Sequence, residues 1–212
     1  RYKLESSLGA GGFGHTYLAR DLHTGKPVAV KRVLCHIRSA EQAADLRSYF
    51  ERERKLLAEL NTPGHPNIPE VIDAFADNCS EYLVMKYIAG QTLLQKIKEK
   101  PLSWDGASLY LEQILSAIAY MHTRPVPIVH GDIKPGNLIV DDTGRLFLVD
   151  FGLARQQSLA GHWTTESDAG AGTPGYASWD QWRGGPSPMA DIYAIGIVAY
   201  VLLTGQDGAE AI

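Results

Sequence analysis

The chain has 212 residues, of which 45% are hydrophobic and 21% charged, ordinary globular usage that excludes a disordered or fibrous chain. The length suits one domain or a pair of tightly packed lobes. Lys and Arg number 20 against 24 Asp and Glu, a formal charge of -4, so no basic excess exists to neutralise a run of phosphates and no nucleic-acid partner is expected.

In chain order, residues 2–8 form a strand that leads into a glycine cluster. Residues 16–20 form a second strand, residues 21–25 a turn, and residues 27–33 a valine-rich third strand. Ser39 followed by Gln42 fits the start of a helix. Leu46, Phe50, Glu53, Leu57 and Leu60 share one face of it. Residues 68–75 and 81–88 read as two more strands, and Gly90 marks the change from the first lobe, 1–89, to the second, 90–212.

From Ser103 the chain turns helical, with Ala107, Tyr110, Leu111, Ile114, Ala117, Ile118 and Met121 on one face. Residues 138–140 and 145–149 flank Asp141-Asp142-Thr143-Gly144, a hairpin signal. Residues 191–203 read as a mostly apolar, buried helix. A strand-rich front and a helix-rich back make an α+β chain. The longest apolar stretch, 193–203, is too short to span a bilayer, and the first residues carry no signal-peptide core. Cys35 and Cys79 cannot build a disulfide framework and read as free thiols in a reducing compartment.

Chemistry gathers at three places. The first is Gly9-Ala10-Gly11-Gly12-Phe13-Gly14. Glycines let the backbone approach a ligand, and successive free N–H groups can hold phosphate oxygens. The spacing alone is weak evidence. A dinucleotide fingerprint must open a helix, whereas residues 16–19 read as a strand, so this is a glycine flap joining two strands over a nucleotide.

The second is Lys31, at the end of Val28-Ala29-Val30-Lys31. Alternation puts Ala29 and Lys31 on one face, where Ala29 leaves room for a flat base and Lys31 can reach phosphate. Glu53 lies among apolar neighbours on its helix, where a carboxylate is costly unless a cation meets it. Lys31 is its natural partner, against the plainer reading of two solvated side chains.

The third is His130-Gly131-Asp132-Ile133-Lys134-Pro135-Gly136-Asn137, followed after the hairpin by Asp150-Phe151-Gly152. Asn137 enters the hairpin and Asp150 leaves it, so both oxygen donors stand at one end. They suit a Mg²⁺ that keeps its other bonds for phosphates and water. Asp132 lies just ahead of them, where it can orient a hydroxyl and take its proton.

Jointly these motifs resemble the eukaryotic-like serine/threonine protein kinases, most of all the bacterial ones, over nearly the whole chain. The resemblance implies a bilobal fold, with an antiparallel sheet and one helix in the first lobe and a mainly helical second lobe. It implies ATP with Mg²⁺ or Mn²⁺, a protein substrate with a Ser or Thr acceptor, and a cytoplasmic domain. Gly9, Gly11 and Gly14 match the glycine-rich loop. Lys31 matches the lysine on the α/β-phosphates, and Glu53 its helix partner. Asp132 matches the catalytic base, Lys134 the lysine that steadies the γ-phosphate, and Asn137 and Asp150 the metal ligands.

By the same likeness Met85 stands at the gatekeeper, with Lys86, Tyr87 and Ile88 as the hinge offering backbone bonds to adenine. Thr16, Ala29, Ile139 and Val149 line the adenine slot. Leu57, Val71, His130 and Phe151 match a packing column. Gly172-Thr173-Pro174-Gly175-Tyr176 matches the substrate-docking segment, and Asp191 the helix aspartate that braces the catalytic loop.

Three departures stand out. Gly131 replaces the usual arginine before the catalytic aspartate, which puts obligatory activation-loop phosphorylation in doubt. Ala177-Ser178-Trp179-Asp180 stands where Ala-Pro-Pro-Glu is usual. The family's last helices would follow Ile212, so the chain reads as a truncated kinase domain whose parent could carry a membrane anchor further on.

Two rivals remain. His-Gly-Asp is the usual opening in aminoglycoside-phosphotransferase-like small-molecule kinases, and a pseudokinase scaffold would share the fold without the activity. Ser158, Thr164, Thr165 and Ser167 are loop hydroxyls, and Thr164 and Thr165 are candidates for autophosphorylation.

Overall fold

The computed structural model describes residues 1–11, 14–34, 40–77, 80–156 and 172–210. Gly12, Phe13, the two cysteines Cys35 and Cys79, Ser39 with its expected cap, and the hydroxyls Ser158, Thr164, Thr165 and Ser167 lie outside the described residues. The chain divides into two compact units, Arg1–Gly64 with Pro69–Ile88, and His65–Ile68 with Ala89–Ile212.

The first unit is one antiparallel sheet with one long helix. Its strands are β1 (Tyr2–Gly11), β2 (Gly14–Asp21), β3 (Pro27–Leu34), β4 (Val71–Asp77) and β5 (Ser80–Lys86), in the order β1-β2-β3-β5-β4. Helix α1 (Ala40–Leu60) joins β3 to β4. The register pairs Thr16 with Lys31 and Lys31 with Leu83, and pairs Leu18 with Ala29 and Ala29 with Met85. Paired residues share a face, so Thr16, Ala29, Lys31, Leu83 and Met85 all stand on one side. The other side carries the buried cluster Ala19, Val28, Val30 and Val84, with Tyr2 and Tyr82 against it.

The edge strands β1 and β4 meet through side chains. Tyr2 Oη donates to Asp73 Oδ2 at 2.8 Å, the Tyr2 and Phe75 rings stack at 5.9 Å, and Phe75 stacks on Tyr82 at 5.0 Å. Burial, and then the bond to Asp73, push the Tyr2 phenol up to about 12. Arg1 bridges Asp73 and Asp21.

β4 starts at Val71, three residues later than the sequence pattern suggests. Pro69 has no N–H for a ladder, and the Asn61 side chain occupies the backbone there, accepting from Val71 N at 2.6 Å and donating to Pro69 O at 3.3 Å. β5 ends at Lys86, whose N–H donates to Glu70 O at 2.8 Å.

The second unit contains β6 (Gly90–Thr92), α2 (Leu93–Glu99), α3 (Trp104–His122), β7 (Ile128–Val129), β8 (Leu138–Asp141), β9 (Leu146–Leu148), β10 (Arg155–Gln156), α4 (Trp179–Gly184) and α5 (Pro188–Thr204). Two small sheets, β6-β8-β9 and β7-β10, accompany the helices. Ser103 caps α3, and of its predicted face Ala107, Ile114, Ala117, Ile118 and Met121 are buried while Tyr110 and Leu111 are half-buried.

The β8–β9 turn closes on Asp141 Oδ1, which accepts from Thr143 Oγ1 and from the N–H groups of Thr143 and Arg145. These bonds, the Thr143 hydroxyl foremost, hold its carboxyl below the usual range. The segment His65–Ile68 joins this unit because Asn67 is stitched into it. Asn67 Nδ2 donates to Leu146 O and Gln113 Oε1, and Asn67 O accepts from Leu148 N.

Helix α5 begins before Asp191, because Ser187 caps it and Pro188 occupies its first turn. It is not wholly buried: Met189 is 73% and Ile192 44% exposed, while Ala194, Val198 and Leu202 are buried. Among the described residues no helix is long and apolar enough to cross a membrane.

Asp21 generates a pH test. It is buried, accepts from Arg1 Nη2 at 3.1 Å and from His23 N at 3.0 Å, and the Arg1 guanidinium holds its carboxyl well below the usual range. A carboxyl depressed by folding stabilises above its unfolded value and loses that contribution as pH falls through the folded one. The melting-temperature gap between wild type and Asp21→Asn is therefore expected to be full at neutral pH and to shrink in acid. An equal gap at both ends of the titration would contradict the assignment.

Candidate active site

In the first unit the glycine segment closes the β1–β2 hairpin. Gly9 pairs with Thr16, Ala10 with His15, and Gly11 with Gly14. Gly14 has φ +134°, and a Cβ there would lie 2.3 Å from Arg32 O, so the fold itself requires glycine. A Cβ on Gly9 would meet nothing within 4 Å. Internal packing gives no reason for a glycine at position 9.

Lys31 is 5% and Glu53 3% exposed. Lys31 Nζ donates to both carboxylate oxygens of Glu53 at 2.8 Å. The β3 alternation turns Lys31 to the Ala29 face, and α1 turns Glu53 inward beside Phe50, Leu57 and Leu60, all buried. Met85, half-buried, pairs with Ala29 and Val71, Lys86 ends β5, and Tyr87 and Ile88 follow it.

The second unit organises its polar groups around Asp132. Asp132 Oδ1 accepts from Thr173 Oγ1 at 2.6 Å. Oδ2 accepts from Lys134 Nζ at 2.8 Å and from Asn137 Nδ2 at 3.0 Å. Lys134 Nζ also donates to Thr173 Oγ1 at 2.7 Å, and Asn137 Nδ2 to Asp132 O at 2.8 Å. Thr173 therefore belongs to the cluster. Its sequence signal was membership of the Gly172–Tyr176 run, but nothing in the spacing shows that its hydroxyl folds back onto Asp132.

The backbone beneath this cluster is held by Asp191, 1% exposed on α5. Its Oδ2 accepts from His130 N and its Oδ1 from Gly131 N, both at 2.9 Å, and His122 Nε2 lies 2.8 Å from Oδ2. His130 is fully buried, and burial pushes its pKa down, so the neutral ring is favoured. Its Nδ1 accepts from Asp132 N at 3.2 Å, which leaves Nε2–H to donate to Val149 O at 3.3 Å. Its ring meets Phe151 edge-on at 4.9 Å.

Asp150 is the one described non-glycine residue with positive φ, at 64°, a conformation that costs energy and marks functional turns. Its side chain is exposed. Asn137 ends a 3₁₀ turn, Pro135–Asn137, and its backbone O accepts from Val149 N at 2.9 Å. Ile139, on β8, and Val149 flank it. Asp180 sits exposed in the first turn of α4.

The protein kinase domain family matches residues 2–210, and the chain belongs to that family. Among similar proteins, serine/threonine-protein kinase PrkC of Bacillus subtilis is 36% identical over all of this chain and 32% of its own length. Serine/threonine-protein kinase C of Synechocystis is 35% identical over 97% of this chain and 39% of its own length. CBL-interacting protein kinase 16 of Oryza sativa is 33% identical over 97% and 44%. The chain thus spans less than half the length of these relatives.

The buried ion pair gives a stability test. Removing one partner of such a pair costs about 3–5 kcal/mol, whereas replacing both by apolar groups is often close to neutral. In urea titrations Lys31→Met is expected to show a loss of that size, and the double variant Lys31→Met with Glu53→Leu to regain most of it. An additive double variant would show that the two side chains are not coupled.

Proposed function

We propose that this domain transfers the γ-phosphoryl group of ATP to a serine or threonine hydroxyl of a protein. The observation that carries the reading is the Asp132 carboxylate, with Thr173 on one oxygen and Lys134 and Asn137 on the other. A carboxylate anchored at both oxygens has its direction set before substrate arrives, which is the orientation work that phosphoryl transfer asks of a protein. Oδ1 already accepts one O–H, from Thr173, so it suits the proton of an acceptor hydroxyl. Lys134 sits beside that oxygen pair as a cation for the transferred phosphoryl charge.

Lys31, oriented by Glu53, takes the α/β-phosphates. Gly9 supports the same reading, since open space where a Cβ would stand suits backbone drawn close to a ligand. Ala10, Gly11 and Gly14 extend the flap. Thr16, Ala29 and Met85, on one face of the sheet, are the first unit's candidates for the base and Ile139 and Val149 the second unit's, with hinge bonds from the backbone of Lys86, Tyr87 and Ile88. The Lys86 N–H is committed to Glu70 O and is not one of them. ATP supply places the domain in the cytoplasm.

Asn137 and Asp150 fit a divalent cation such as Mg²⁺. Asn137 spends its amide hydrogens on Asp132, so its oxygen is the atom it can offer, and Asp150 adds an exposed carboxylate. Two hard oxygen donors suit Mg²⁺, which leaves positions for phosphate and water. When bound, the ion supplies charge neutralisation at the phosphates. Among the described residues no cluster of three or more His, Cys, Asp or Glu competes for a metal.

The test is phosphate transfer from labelled ATP by the intact protein, to casein and, separately, to small hydroxylated antibiotics. Transfer to casein alone is expected. Asp132→Ala is expected to lower kcat by about 10²–10⁴, and Asp150→Ala by about 10²–10³. Near-normal transfer by either variant, or transfer to the small molecules only, would overturn the reading.

A further inference from the structure

The proposal concerns what aims Asp132, and it rests on the kinase reading given above. Gly131 has φ +77°, and a Cβ there would lie 3.0 Å from Cβ and Cγ of Pro186 and 3.1 Å from Leu153 O. Glycine relieves that crowding but leaves its two dihedrals poorly restricted. The peptide units on either side of Gly131 must then be held from outside, or the residue that follows has no fixed direction. Asp191 holds the N-terminal side, through His130 N and Gly131 N.

The C-terminal side is the peptide formed by Gly131 C=O and Asp132 N–H. Its N–H goes to His130 Nδ1 at 3.2 Å, and its carbonyl accepts from Gln181 Nε2 at 2.7 Å. Gln181 is 2% exposed, in α4, where Ser178 Oγ accepts from its backbone N–H and Gly185 N donates to its carbonyl. The acceptor at Gly131 fixes which end of the amide faces it.

Gly172 makes room for this side chain. A Cβ on Gly172 would lie 2.9 Å from Gln181 Nε2 and 2.7 Å from Ala177 Cβ. The next residue is Thr173, whose hydroxyl binds Asp132. One buried amide thus touches the peptide before Asp132 and packs against the residue before Thr173.

We infer that Gln181 is a positioning residue for phosphoryl transfer: by clamping the Gly131 carbonyl it fixes the peptide plane from which the Asp132 carboxylate is aimed, a task made necessary by glycine at position 131. Gln181 touches no substrate. Its loss acts on the alignment of Asp132, and a misplacement of about 1 Å can cost on the order of 10² in rate.

The experiment compares wild type, Gln181→Met and Gln181→Glu in the intact protein. Gln181→Met keeps the length and loses the donor. Its kcat is expected to fall about 10–100-fold with the KM for ATP within about twofold, because nucleotide-binding groups are untouched. Gln181→Glu restores the donor only when protonated, and a buried carboxyl facing a carbonyl oxygen has its pKa raised. The ratio of its kcat to that of wild type is expected to rise as pH falls from 8 to 5.5, while the ratio for Gln181→Met stays flat.

Hydrogen exchange at the Asp132 amide is the second readout and needs no catalysis. It is expected to quicken at least about tenfold in Gln181→Met, with α3 amides unchanged. Wild-type kcat in Gln181→Met, a pH-independent ratio for Gln181→Glu, or unchanged Asp132 exchange each overturns the clamp. If Gln181→Met does not fold, the pH response of Gln181→Glu decides alone. If wild type transfers no phosphate while the exchange effect is present, the clamp stands and the kinase reading falls.

Discussion

The second unit depends on one carboxylate taken out of water. Asp191 lies in the first turn of α5, and a buried carboxylate is tolerable only if donors surround it. The backbone N–H groups of His130 and Gly131 serve that need, with His122 at the last turn of α3 beside the same oxygens. The requirement runs both ways. The loop satisfies the carboxylate, and the carboxylate fixes a backbone stretch that no regular ladder holds. Helix packing between α3 and α5 is thereby converted into a defined path for residues 130–132.

The first unit meets an equivalent need by different means. Lys31 and Glu53 are each buried and would be costly alone; together they are bonded twice, at 2.8 Å. A sheet supplies one partner through strand alternation and a helix supplies the other through its 3.6-residue period. Two unrelated periodicities must come into phase for the contact to form. The same sheet curls until its edge strands meet through Tyr2, Asp73 and Phe75, so the faces that set Lys31 are braced from behind.

Gly131 shows why the backbone before Asp132 needs outside support. A side chain at φ +77° would press on Pro186 and Leu153. Glycine avoids that contact, and the neighbouring peptides are held by Asp191, His130 and Gln181. His130 can accept from Asp132 N because burial favours its neutral ring. Side chains from three separate segments thus fix a backbone that glycine leaves free to turn.

Local chemistry alone was enough to determine several features. The Val28-Ala29-Val30-Lys31 alternation assigned faces, the apolar steps around Glu53 marked it as needing a cation, the core face of α3 followed from its period, and Asp141 to Gly144 marked a turn. The short pieces leave little trace in the sequence: α2 shows only the capping box of Thr92 and Gln95, and β7 and β10 have two residues each, too few for a pattern. Tertiary structure alone decided that His65–Ile68 belongs with the second unit, that β4 waits until Val71, and that Thr173 and Gln181 close on residues 131 and 132. The last two contacts join groups 41 and 50 residues apart, each through one hydrogen bond to its target residue. A hydrogen bond between distant side chains leaves no periodic trace along the chain, whereas a buried face must repeat itself to be buried at all.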